Sequence, residues 1–117
     1  MDDHDALAAD IDRRALASRA RTYSQRCERW LEHHKDQDPV DSTDPLTVVR
    51  RFSPFIPLQI REGNAEVALL AIERSRMAWL ALVKHKAIRP HLAEPFVSDL
   101  VWLKHEVERI FPHAPTM

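Results

Sequence analysis

The chain has 117 residues, of which 44% are hydrophobic and 30% charged, with a formal net charge of −1 and one glycine, Gly63, against eight prolines. That length suits one domain with a real core. The shortage of glycine excludes Gly-rich phosphate loops and argues against tight hairpins, and so against meanders and barrels.

The single cysteine, Cys27, allows no intramolecular disulfide and fits a reducing compartment. The acidic start has no apolar run behind it, so no secretory signal is expected. The longest apolar stretches are separated by Glu73-Arg74-Ser75-Arg76, too early for the roughly 20 apolar residues of a membrane span. These features predict a cytoplasmic protein. The small net charge conceals segregation: residues 1–12 and 36–46 are acidic, whereas residues 13–35 and 47–91 are basic. Acids at helix starts and solvated basic faces account for such a pattern.

The first helix is expected over about Asp5 to Lys35, free of Pro and Gly. Leu16, Ala20, Tyr23, Cys27, Trp30 and His34 recur at spacings of four and three, forming one stripe that Leu7 and Ile11 extend toward the N-terminus,. Residues 36–46 are rich in Asp, Pro, Ser and Thr and are expected to form an acidic loop. Asp44-Pro45 then opens a short helix through Leu46, Val49 and Phe52, with Ser53-Pro54-Phe55-Ile56-Pro57 expected to stop it,. A second long helix is expected to start near Leu58 or Asn64, Gly63 marking a possible break, and to reach Lys86,. Its apolar residues cover more than one face: Val67, Leu69, Leu70, Ile72, Met77, Trp79, Leu80, Leu82 and Val83. The last helix is expected over about Pro95 to Phe111, with Leu100, Leu103 and Val107 in the core. The ends, residues 1–4 and 113–117, are expected to be loose. The fold prediction is therefore all-α, one helical domain over residues 1–117, a small bundle of three main helices plus one short helix in a Pro-rich connection.

Candidate chemistry is sparse. Seven histidines invite a metal, yet no Glu-x-x-His occurs, and the reversed pair His105 and Glu108 has no matching copy on a long helix. One cysteine cannot supply a structural zinc set. No serine lies in a Gly-x-Ser-x-Gly setting,, and Cys27 on the apolar stripe reads as a small buried hydrophobe. No catalytic residue, metal, cofactor or small-molecule substrate is predicted.

Arg29-Trp30-Leu31-Glu32-His33-His34 contains Arg-x4-His, which resembles the active motif of the HEPN ribonucleases, themselves small all-helical domains. The resemblance implies that Arg29 would stabilise a scissile phosphate and His34 would act as base. A second alternative is contact with nucleic acid through Arg-rich helix faces. Arg14 and Arg21, like Arg19 and Arg26, lie seven apart on the first helix, and Arg50 and Arg51 extend the basic surface,.

The leading expectation is a non-enzymatic helical accessory or adaptor protein that binds another macromolecule, as a homodimer or as a small subunit of a larger complex. The second long helix is apolar over more sides than two neighbours can cover. Leu69, Trp79 and Leu80 are its expected interface residues.

Overall fold

A computed structural model describes residues 3–33 and 44–111. Among them are four α-helices and no strand: α1 (Asp3–Glu32), α2 (Pro45–Arg61), α3 (Ala65–Lys84) and α4 (Pro90–Ile110). Successive helices pack side by side, and α4 closes the ring against α1. The connections after α2 and α3 span only residues 62–64 and 85–89, so neighbours run antiparallel. The result is an up-down four-helix bundle.

The α1 stripe enters the core as Leu16, Ala20, Tyr23, Cys27 and Leu31, while Trp30 packs half-buried beside it. Leu7 and Ile11, expected to continue the stripe, are 58% and 57% exposed. The cause is length. α1 has 30 residues and α4 has 21, which makes them about 45 and 32 Å long. Arg109, near the end of α4, reaches Asp12 on α1, so the turns before Asp12 overhang the bundle. His34 and the expected acidic loop, except for its last residues, lie outside the described residues.

The largest departure is α2. It does not stop at residues 53–57 but continues through Pro54 and Pro57 to Arg61. Each internal proline removes a main-chain hydrogen bond, at a cost of about 3 kcal/mol or more. Tertiary burial offsets that cost. Leu46, Val49, Ser53, Ile56 and Ile60 recur at alternating spacings of three and four and are all buried. Full burial of an aliphatic side chain contributes about 1.5–3 kcal/mol, and this seam runs on both sides of the proline pair. The expected short helix is thus a full member of the bundle.

Two like turns position the remaining helices. After α2, Gly63 takes φ +79°, its N–H donates to the Ile60 carbonyl, and the Asn64 N–H donates to the Gln59 carbonyl. After α3, Lys86 takes φ +62°, its N–H donates to Val83, and the Ala87 N–H donates to Leu82. Both are Schellman closures, one built on the only glycine and one on a lysine. α4 begins at Pro90, earlier than Pro95, because Pro at a first helical position loses no bond,. Leu100, Leu103 and Val107 are fully buried as expected.

Candidate interaction surface

α3 buries five small residues beside three large ones and leaves further large apolar residues outward. Ala65, Ala68, Ala71, Ser75 and Ala78 are buried, with Ile72, Trp79 and Leu82 as the larger inward groups. Small inward side chains let α2 and α4 approach α3 closely. Val67, Leu70, Met77 and Leu80 are 41%, 51%, 56% and 43% exposed. At 100° per residue, Leu70, Met77 and Leu80 gather on the side of α3 opposite its buried seam, and Val67 lies at its edge.

Charged groups frame this apolar strip. Glu66 lies at its N-terminal end and Lys84 at its C-terminal end, both exposed. Glu73 lies between them and accepts two bonds from Arg76, Nη2 to Oε1 at 2.6 Å and Nε to Oε2 at 3.1 Å. Hydrogen bonding to Arg76 holds the Glu73 carboxyl below its ordinary range, aided by the charges of Arg76 and Lys104. Lys104 therefore places α4 on this side of α3, and Val101, three residues earlier on α4, is 40% exposed. On the opposite edge, an open groove of about 560 Å³ runs between α2 and α3. It is lined by Val48, Phe52, Met77 and Ala81 among others, with Arg51 and Arg74 at its sides, and Glu73 borders it too.

Of the three interface residues expected from sequence, Leu80 is exposed on this strip and Leu69 is half-buried against the core. Trp79 must be corrected: it is fully buried. Its indole Nε1–H donates to the Tyr23 hydroxyl at 3.0 Å, its ring stacks on Phe96 at 4.2 Å, and Trp30 meets it edge-on at 5.0 Å. Trp79 stands one position before Leu80, and that 100° step carries it from the outer side to the inner one. Leu70 and Met77 were the residues that sequence reasoning passed over. Their spacing of seven, two helical turns, was the available signal.

The six candidate phosphate-contacting arginines do not converge. Arg14 pairs with Asp10 at 3.1 Å. Arg19 and Arg26 both turn to Asp99 of α4, at 3.4 and 3.0 Å, and Arg19 also lies over the Trp102 ring. Arg21 lines a small recess with Arg61, Pro54 and Pro57. Arg50 lines the α1/α2 groove with Glu28 and Glu32. Arg51 stands on the far side of α2, by Arg74. Asp99 is 6% exposed. It is the hidden counter-charge that the seven-residue spacing of Arg19 and Arg26 serves.

Arg29, of the Arg-x4-His motif, is exposed. Its carbonyl oxygen lies 3.0 Å from His33 Nδ1. Cys27 is wholly buried, and burial pushes its thiol from an ordinary value of 9.0 to about 12. Burial also raises Tyr23 well above the usual phenol range, with the neighbouring Cys27 adding to the effect. A thiol held protonated in this way is a poor nucleophile. Ser75 lies near enough to the Tyr23 hydroxyl to influence its titration, yet the Ser75 hydroxyl makes no bond of proper geometry. Among the described residues no three His, Cys, Asp or Glu side chains gather where they could hold a metal ion. No helix among them is long and apolar enough to cross a membrane.

Comparison of the chain with protein-family models, curated proteins and solved structures finds no match.

Proposed function

We propose that this chain is a non-enzymatic helical binding module that docks on another protein through the outer face of α3. One observation carries the reading: Leu70, Met77 and Leu80 stand in solvent on one side of α3, while five of its eight buried positions are Ala or Ser. Large apolar groups on the side of a helix away from its core forgo the burial that the core offers. Exposed apolar groups gathered on one side of a helix are a feature of interaction sites. The charged ends at Glu66 and Lys84, with Arg74 and Arg76 to either side, supply the polar rim that such interfaces carry,.

Photo-cross-linking in the cells that make the protein tests this. A photoreactive amino acid is placed singly at Leu70, Leu80, Ser18 and His105, all exposed positions. Protein adducts are expected from the two α3 positions and not from Ser18 or His105. Adducts formed equally at all four, or none from α3, would defeat the reading.

A further inference from the structure

The outer face of α3 is self-complementary when reversed, and we infer that its occupant is a second copy of this chain, packed antiparallel through α3 about a two-fold axis level with Ser75. This rests on the reading of that face as a protein-docking surface, and it names the partner.

Register along α3 carries the pairing. Glu66 and Lys84 stand nine positions before and after residue 75, and Leu70 and Leu80 stand five before and after it. Glu73 and Met77 stand two before and after. Turning one copy end over end therefore brings Glu66 level with the partner copy's lysine and Leu70 level with its Leu80. Glu66 and Lys84 are eighteen residues apart, which is five full turns, so both point the same way from the helix axis. In a parallel pair each would meet its own like charge instead, which is unfavourable. Only the reversed arrangement satisfies both ends together.

The edges agree with this. A two-fold axis of this kind keeps each edge of the strip on the same edge of the partner. The Glu73–Arg76 pair lies within three positions of the axis, so two copies bring two such pairs together, with opposite charges able to alternate across the seam. Arg74 stays at the other rim, where it remains solvated. The stretch of α3 from Leu70 to Leu80 is about 15 Å long, which fits a reversible dimer at the small end of stable interfaces.

Charge swapping in the intact chain tests the register, with sedimentation velocity at low ionic strength over a range of concentrations. Glu66 and Lys84 are exposed, so Glu66→Lys and Lys84→Glu leave the core untouched, and far-UV circular dichroism verifies folding. The unaltered chain is expected to dimerise as concentration rises. Each single variant turns two attractions into two repulsions and weakens the dimer roughly tenfold or more. The double variant Glu66→Lys with Lys84→Glu recovers it. An equimolar mixture of the two single variants also recovers it, because each then supplies the charge the other lacks. Leu70→Glu with Leu80→Glu abolishes it. A strict monomer at every concentration overturns the second copy as partner. So does a dimer indifferent to the Leu70→Glu, Leu80→Glu change, and so does one that the double variant or the mixture fails to restore. The photo-cross-links separate this failure from that of the broader reading. Adducts of α3 with a different protein sink the dimer and leave the docking surface standing, whereas no adduct removes both.

Discussion

At the scale of single residues, Asp99 shows how the bundle handles a charge it has buried. The carboxylate has almost no access to water, while Arg19 and Arg26 each keep about half of their side chains in solvent. The two sides of this bridge are therefore unequal. Asp99→Asn leaves two hydrated guanidiniums and should cost about 1–3 kcal/mol, the worth of hydrogen bonds to a charged group. Replacing both arginines with alanine leaves a buried carboxylate alone and should cost more, about 3–5 kcal/mol. Urea denaturation of the two variants checks the order, and an equal loss in both would show that Asp99 has water access. Cys27 supplies a pH test of the same core. Its acidity is suppressed on folding, so the folded state favours the protonated thiol. The stability this reflects is complete below about pH 9 and is lost as pH rises toward about 12,. Tyr23 acts in the same direction above its ordinary value of 10.0. Stability measured against urea should fall from about pH 9 upward, and Cys27→Ala should fall less steeply, retaining only the Tyr23 share.

At the scale of elements, the two Schellman closures differ in one residue, and that difference is measurable. Gly63 takes its positive φ without a Cβ, and added side-chain atoms would meet nothing within 4 Å. Gly63→Ala therefore incurs the backbone penalty alone, about 1 kcal/mol. Lys86 already bears that penalty at φ +62°, so Lys86→Gly should stabilise by a similar or smaller amount. Opposite shifts in melting temperature are expected, and shifts of the same sign would refute the account. The helix start at Pro45 was readable from sequence, and Asn64 was one of the two starts expected for α3, since capping and breaking are local backbone events. The path of α2 was not. Local rules end a helix before Pro54, and only the seam from Leu46 to Ile60 against α1 and α3 carries it through. That seam has Ser53 where an apolar residue would have made the period plain.

At the scale of the whole molecule, apolar side chains of one type have different consequences by position. Leu103→Ala removes a fully buried group and should cost about 2–5 kcal/mol. Leu7→Ser with Ile11→Ser alters the overhang of α1 and should change stability by less than about 0.5 kcal/mol. Chemical denaturation of both reads the contrast, and a large loss from the second pair would mean that the overhang is packed in solution. The same contrast governs α3. Its sequence has nine large apolar residues over 67–83 without saying which face the neighbours cover. The choice of Trp79 for an interface failed because a tryptophan can be an anchor or a keystone, and its facing depends on where α2 and α4 lie.

The sequence by itself determined the all-helical class, three of the four helix positions and the core of α4. Those follow from spacing, capping and the scarcity of glycine, which act within a few residues. Tertiary structure decided the rest: the passage of α2 through two prolines, the gathering of Arg19 and Arg26 on Asp99, the overhang of α1, and which side of α3 stands in water. Each of these depends on groups far apart in the chain. Burial and charge pairing are settled by which helices become neighbours, and no window of one helix contains that information.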